Sequence, residues 1–266
     1  MKKLILAGLL AAASAASQNA WSNSITLTGS GTGPGGVPVS ASSIFDVSGD
    51  ILTITLTNTS VSNTGKDVPG STLTGLFWTF NNASTPTLIP VSALLAGGSS
   101  ILGTCSLANC ASITNLGGEF GYQATGLPHG ADRGISSSGY LSSGLAGNIG
   151  NFNNGAAGVN LDGPASLNGI NFGIISGAAG YNPNGGLAGI PVVQDTVVFR
   201  LSGATGVDVR SIVASYQYGT SLSDLNVLDQ VPPATVPEPG TIALLGLGLA
   251  GIASLRRKSG RSYTSS

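Results

Sequence analysis

Segment 51–59 constrains the fold more than any other part of this 266-residue chain. Its sequence, Ile-Leu-Thr-Ile-Thr-Leu-Thr-Asn-Thr, places Leu52, Ile54 and Leu56 on one side and threonines on the other. Side chains of a strand alternate between two faces, so this pattern predicts a strand with one buried and one wet face. A Ser-Gly-Asp turn signal precedes it, and segment 39–47 is therefore predicted to form a hairpin with it.

Further strands are predicted where apolar residues alternate or cluster between Gly and Pro turns. The segment between residues 125 and 190 is rich in Gly, Asn and Ser and is interpreted as long loops with short strands. No helix longer than a turn or two is expected before residue 240, and no fixed-period repeat is present. The predicted fold class is all-β, an antiparallel β-sandwich with long Gly/Asn-rich loops. The remaining predicted strands are 73–80, 88–95, 118–124, 171–175, 196–202 and 211–218.

Charged residues make up only 8% of the chain, while 41 residues are glycine. Six of the ten basic residues lie at the two ends, so the chain between them carries four basic and eleven acidic residues, a net charge of −7. Nucleic acids and anionic lipids are bound through basic patches. This charge distribution disfavours both as partners.

The N-terminus has the three parts of a secretory signal. A basic start, Met1-Lys2-Lys3, precedes an apolar run and the small-residue sequence Ala13-Ser14-Ala15. The run is too short for a membrane span and ends in small polar residues. Residues 1–20 are therefore predicted to be a signal peptide, cleaved near Ala13 and Ala15, that precedes a secreted body at 24–223.

Two cysteines, Cys105 and Cys110, lie close together in the predicted body. In an exported chain two nearby cysteines most simply form a disulfide, here closing a very small loop and contributing about 2 kcal/mol. A zinc site is the alternative interpretation. It needs two further ligands, and the chain has one histidine.

The C-terminus combines an extended, proline-rich linker (224–236), the triplet Pro237-Glu238-Pro239 and an uncharged span at 241–255. As a helix, the span measures about 22 Å, which is short for crossing a membrane comfortably. Its glycines suit a membrane helix better than a soluble one, so 241–255 is predicted to be a C-terminal transmembrane helix. The basic cluster Arg256, Arg257 and Lys258 is expected to keep the following residues, 259–266, in the cytoplasm.

These three parts together resemble the PEP-CTERM sorting signal of Gram-negative bacteria. The resemblance implies an exosortase, a membrane processing enzyme, as a partner that removes the apolar tail near Pro237-Glu238-Pro239. It also implies a transiently membrane-anchored protein whose final location is the cell surface or outside the cell, associated with exopolysaccharide or biofilm. Segments 48–59 and 195–199 more loosely resemble a group of exosortase-dependent surface proteins, which implies no chemistry.

The sequence offers weak candidates for catalysis. His129 and Asp132 with a serine would be a triad, but they lie in a polar loop and no Gly-x-Ser-x-Gly motif is present. Two carboxylates close together could serve as the acid and base of a glycosidase. The candidate pairs here sit beside turn residues, where aspartate is common for structural reasons. The fragment 160–163 is too short for a calcium loop. The chain is therefore not expected to be an enzyme. It is also not expected to need a cofactor or a metal. The carboxylate pairs considered are Asp46 with Asp50 and Asp224 with Asp229.

The expected function is that of an exported surface or matrix protein. The first alternative is a carbohydrate-binding β-sandwich in which exposed aromatic residues stack on sugars. A secreted hydrolase and an ice-binding protein are less favoured, the latter because one threonine row on one strand is the ordinary wet face of a sheet. The aromatic candidates are Trp78, Tyr122, Tyr140 and Tyr181.

Overall fold

The computed structural model describes residues 23–61, 69–81, 86–104, 113–137, 150–152, 170–178, 182–183 and 185–229. These residues belong to one compact unit of the chain, Met1–Gln230. In the described ranges the chain forms strands and short 3-10 turns, so the predicted all-β class is confirmed. None of the helical segments described there is long and apolar enough to cross a membrane. The strands are β1 (Ser24–Thr32), β2 (Pro38–Ser48), β3 (Ile51–Asn58), β4 (Leu73–Phe80), β5 (Ile89–Leu95), β6 (Ser100–Leu102), β7 (Gly121–Gln123), β8 (Arg133–Ser136), β9 (Gly150–Asn151), β10 (Ile174–Ile175), β11 (Val192–Gln194), β12 (Thr196–Ser202), β13 (Ile212–Tyr218) and β14 (Asn226–Leu228).

The first sheet is built around the predicted hairpin. Ser48 pairs with Ile51, and Gly49 has a φ of 62°, which a glycine adopts without steric cost at the first position of a two-residue hairpin turn. The leucines and isoleucine of β3 are buried as predicted. Neighbouring strands flank this hairpin on both sides, and the sheet has the antiparallel order β1-β2-β3-β12-β5.

The second sheet is built around β4. This strand pairs with β13 over its whole length on one side, and with β8 and the start of β10 on the other. β13 continues to β14, and β8 continues to β7 and β9. β10 pairs in parallel with β11, which pairs with β6, so one pair departs from the predicted antiparallel arrangement.

The two sheets share one hydrophobic core. Phe45 of the first sheet meets Trp78 of the second at a ring-centroid distance of 5.7 Å, edge to face. Phe199 of the first sheet lies 5.0 Å from Phe120 and 5.2 Å from Phe152. Offset and edge-to-face aromatic pairs of this kind are each worth about 1 kcal/mol beyond their buried area. The inward side chains of both sheets therefore form a single cluster.

Strand β4 is buried on both of its faces, which explains its lack of polar alternation. Trp78 points into the core, whereas Phe77 lies on the opposite face and is also fully buried. A Cβ added to Gly134, the register partner of Phe77 on β8, would come within 2.6 Å of the Phe77 ring and 2.9 Å of the Leu127 side chain. The ring therefore leans over β8, and the loop before β8 packs over that face. A strand covered on both sides needs apolar residues on both, which a run of bulky residues supplies.

Several elements differ from the predicted ones. The strand predicted at 171–175 is reduced to β10, because Phe172 has a φ of 56° and leaves the extended conformation. β7 is likewise shorter than the predicted 118–124. β14 was not predicted, and it lies within the range interpreted as a linker. The other strands that were not predicted are β1, β6, β8, β9 and β11.

Phe45 and Ile44 test the packing between the sheets, because they are neighbours on β2 that face opposite sides. Phe45 is fully buried and Ile44 is 39% exposed. Phe45→Ala is expected to lower the free energy of unfolding by about 3–5 kcal/mol, since it leaves a cavity between the sheets. Ile44→Ala should cost about 1 kcal/mol or less. The free energies of unfolding are measured in urea. Equal decreases for the two variants would contradict the assignment of Phe45 to the core.

Candidate functional site

The residues predicted to carry processing lie outside the described residues. These are the signal cleavage region (Ala13, Ala15), the cysteine pair (Cys105, Cys110), the sorting triplet (Pro237, Glu238, Pro239) and the basic cluster (Arg256, Arg257, Lys258). The apolar span 241–255 and the calcium fragment 160–163 also lie outside them. Their assignments therefore depend on the sequence, and the described structure concerns the body.

The structure does not assemble the triad considered for His129. The histidine is exposed in a 3-10 turn, Pro128–Gly130, with a φ of 58°, and its ring lies 6.0 Å from that of Phe77. The Asp132 carboxylate instead accepts a hydrogen bond from the backbone N–H of Phe80, at 3.3 Å. Among the described residues no hydrogen bond joins the two side chains. Asp132 thus helps to fasten the loop to the end of β4.

Asp50 is a structural acceptor at the hairpin turn. Its carboxylate accepts hydrogen bonds from the Gly203 N–H, at 3.1 Å, and the Thr205 hydroxyl, at 2.9 Å. These bonds, from Gly203 first, hold the pKa of the Asp50 carboxyl below its usual value. Its predicted partner Asp46 lies on the outward face of β2, opposite Thr53. Asp50 therefore ties the β2–β3 turn to the turn after β12.

The Asp224 carboxylate also serves local structure, whereas Asp229 contributes through its backbone. The Asp224 carboxylate accepts hydrogen bonds at 2.9 Å from the N–H groups of Thr220 and Ser221, which closes the turn before β14. The Asp229 backbone N–H bonds to Ala214 O at 2.9 Å, and burial raises the pKa of its carboxyl. In the part of the chain that the structure describes, no three His, Cys, Asp or Glu residues cluster as metal ligands.

Two of the four aromatic candidates for sugar stacking are in the core. Trp78 is 1% exposed and Tyr122 is 4% exposed, and their rings lie 6.2 Å apart. Burial raises the pKa of Tyr122 to about 12. Neither ring can therefore stack on a sugar at the surface, so this part of the carbohydrate-binding hypothesis is wrong. Tyr140 and Tyr181 lie outside the described residues.

Arg133, on β8, is a buried polar residue that the sequence did not single out. Its side chain lies on the same face of the second sheet as Trp78, its register partner. The guanidinium donates to the carbonyl oxygens of Asp132, at 2.7 Å, and Pro86. A buried charge requires such hydrogen bonds to remain stable. Arg133 therefore clamps the segment before β5 to the second sheet.

The outward side of the first sheet carries hydroxyl groups on four adjacent strands, and we call it the hydroxyl face. The register aligns four of them in one row that ends at the buried Thr196: Thr28 pairs with Ser42, Ser42 with Thr57, and Thr57 with Thr196. Ile44 and Asp46 interrupt the neighbouring rows on β2. The hydroxyls of Thr57 and Thr196 lie 2.8 Å apart in a hydrogen bond. The threonine row predicted on β3 is therefore part of a wider surface. Its residues are Thr26, Thr28 and Ser30 on β1, Ser40 and Ser42 on β2, Thr53, Thr55 and Thr57 on β3, and Thr196 and Ser202 on β12.

Asp50→Asn tests the structural role of this carboxylate. A carboxyl whose pKa is lowered on folding stabilises the fold above its unfolded pKa, and this stabilisation is lost as pH falls through the folded pKa. The variant should therefore be less stable than the original chain at pH 7. The difference should shrink in urea unfolding as pH is lowered from 5 to about 2. Asp46→Asn on the same hairpin is the control and should cost less at pH 7. If the stability difference between Asp50→Asn and the original chain did not change with pH, the structural role of the Asp50 carboxylate would be contradicted.

Comparison with known proteins assigns the C-terminal segment. Residues 235–258 match the family described as PEP-CTERM protein-sorting motif. Comparison with curated proteins gave no match, and comparison with solved structures gave none. The matched range contains the sorting triplet, the apolar span and the basic cluster predicted from the sequence. The chain therefore carries a PEP-CTERM protein-sorting motif, which implies export and processing by a membrane exosortase.

Proposed function

We propose that this protein is an exported cell-surface or extracellular-matrix protein that an exosortase processes at residues 235–258. The observation that carries the proposal is the match of this segment to the PEP-CTERM protein-sorting motif. The apolar span 241–255 is a temporary membrane stop, since about 22 Å of helix is short for a permanent anchor. Arg256, Arg257 and Lys258 hold its end in the cytoplasm until cleavage.

The composition of the body suits this route. Once both ends are removed, the secreted part has few charges, and those it has are mainly acidic. Its two sheets, packed on one core, act as the layers of a β-sandwich. We assign the body no catalytic role, because Asp132 and Asp50 are engaged in backbone hydrogen bonds that fix loops. The sandwich thus serves as a scaffold that displays a surface.

The hydroxyl face supports exopolysaccharide as the ligand of that surface. Its rows of Ser and Thr side chains supply both hydrogen-bond donors and acceptors, which are the groups that sugar hydroxyls need. The hydroxyls are concentrated on β1, β2 and β3, so more than one sugar residue could contact one copy. Binding of this kind uses hydroxyl groups and does not need exposed aromatic rings that stack on sugars.

Processing is tested by mass spectrometry of the mature C-terminus. In a strain with an active exosortase, the chain should end near residue 239, and in a strain without one it should retain residues 241–258. Replacing Pro237, Glu238 and Pro239 by alanine should block cleavage. The matched control, Pro232→Ala with Pro233→Ala, removes two prolines upstream of the triplet and should be cleaved normally. An intact C-terminus in the exosortase-positive strain would refute the proposal.

Polysaccharide binding is tested by retention of the protein on exopolysaccharide from the producing strain. The combined change Thr53→Val, Thr55→Val and Thr57→Val removes three hydroxyls without breaking β3. Each lost hydrogen bond of about 1 kcal/mol weakens binding roughly fivefold, so retention should be nearly abolished. Thr87→Val removes an exposed hydroxyl outside the sheet and is the control. Unchanged retention of the triple variant would exclude the hydroxyl face as the binding surface.

A further inference from the structure

Arg200 is a charged residue on the hydroxyl face. It lies on the outward side of β12, at an exposed position between two buried ones. In the part of the chain that the structure describes, the one ion pair joins Arg210 to Asp208, at 2.8 Å. The guanidinium of Arg133 is buried and donates to backbone carbonyl oxygens. Arg200 is therefore the exposed arginine, among the described residues, that has no carboxylate partner.

The strand register places Arg200 in a row of polar residues that crosses the sheet, and we call it the polar row. Arg200 is opposite Thr53 on β3 and opposite Ser92 on β5. Thr53 is in turn opposite Asp46 on β2. Residues directly opposite on neighbouring strands have Cβ atoms about 5 Å apart, so a hydroxyl group lies on each side of Arg200. Asp46 is two strand spacings away, about 10 Å.

The adjacent row of the same face is mainly apolar, and we call it the apolar row. Ile44 and Val198 lie on either side of Thr55, and Leu94 follows on β5. Ile44 is 39% exposed and Leu94 is 38% exposed. Two residues of a strand span about 6.6 Å, so a ring-shaped ligand on the polar row also contacts the apolar row. This contact removes apolar surface from water, which favours a ligand that carries C–H groups over a free inorganic anion.

We infer that the hydroxyl face binds an acidic polysaccharide, with the carboxylate of a uronic acid residue held by Arg200. This inference rests on the function proposed for that face and names the class of sugar that it takes. The guanidinium presents two parallel N–H donors that match the two oxygens of a carboxylate. The hydroxyls of Thr53 and Ser92 bond to the same sugar residue, whose C–H groups lie over the apolar row.

Asp46 determines which sugar residue follows along the polar row. Its carboxylate accepts hydrogen bonds and cannot donate them, so it suits the hydroxyl groups of a neutral sugar and repels a second carboxylate. The polar row therefore favours a chain in which a neutral residue adjoins the acidic one over a chain with a carboxylate on every residue.

The charge of the body explains why Arg200 decides where an acidic chain is held. The body carries four basic and eleven acidic residues, so as a whole it repels a polyanion. At physiological salt this repulsion is screened beyond about 8 Å, whereas a carboxylate at Arg200 is within hydrogen-bond distance. A neutral sugar in the same place would leave the guanidinium without a charged partner. Arg200 thus favours an acidic sugar locally, although the body is acidic.

The test is retention of the full-length chain, in a mild detergent, on exopolysaccharide from the producing strain. The polysaccharide is used before and after chemical reduction of its carboxyl groups to alcohols, which removes the charge and keeps the sugar chain. Reduction should weaken binding about tenfold, because a bidentate, charge-assisted pair is lost. Free glucuronate should displace the protein from the untreated polysaccharide at lower concentrations than glucose or inorganic phosphate.

Variants of two arginines locate the binding of the carboxylate. Arg200→Gln should bind the untreated polysaccharide about as weakly as the original chain binds the reduced one. Arg200→Lys should fall between them, since it keeps the charge but loses the planar fork. Arg210→Gln is the control and should be retained normally, because it removes an equal charge from a turn outside the sheet. Melting temperatures of all three variants should match that of the original chain.

The outcomes separate this inference from the proposed function. Equal retention on the untreated and the reduced polysaccharide would overturn the inference, whereas the proposed function would stand if the combined change at Thr53, Thr55 and Thr57 still lowered retention. A preference for the acidic form that survives Arg200→Gln would also overturn the inference, since the carboxylate would bind elsewhere. Displacement by phosphate at lower concentrations than glucuronate would do the same. No retention on either form would refute both.

Discussion

The body depends on the contact between its two sheets, in which aromatic rings pack among aliphatic side chains. Phe45 and Trp78 join them near one end, and Phe199 meets Phe120 and Phe152 near another. Aromatic residues are only 6% of the chain, so placing these in the core leaves few for the surface. This explains why Trp78 and Tyr122 are unavailable to ligands.

The same packing separates the roles of the two sheets. β4, at the centre of the second sheet, is covered on both faces, by the core and by the loop before β8. The first sheet has one covered face and one wet face, and its two edges differ in protection. Among the described residues, the first sheet therefore offers the broader wet face. The sorting motif lies in a separate C-terminal segment, so the route to the surface is independent of what the body binds.

Sequence reasoning predicted those elements whose pattern is local. β3, β4, β12 and β13 were predicted almost residue by residue, because alternation or bulk within one strand reports its burial directly. β1 was not predicted, because Gly29 and Gly31 interrupt its apolar face. Those glycines are required by the close approach of Tyr216 and Val227, which belong to strands nearly 200 residues later. The parallel pairing of β10 with β11 and the burial of Arg133 likewise depend on contacts distant in sequence.

The sequence alone determined the route of this protein. A sorting motif is recognised as a short linear pattern of prolines, apolar residues and terminal basic charges, and the family match reproduced that pattern at residues 235–258. The tertiary structure decided which surfaces the body exposes. The neighbours of each strand decide whether a tryptophan is buried and whether an edge is covered. They also decide whether a threonine row stands alone or is part of a wider surface. That choice is made by the packing of two sheets around one core, and it is not encoded in any single segment.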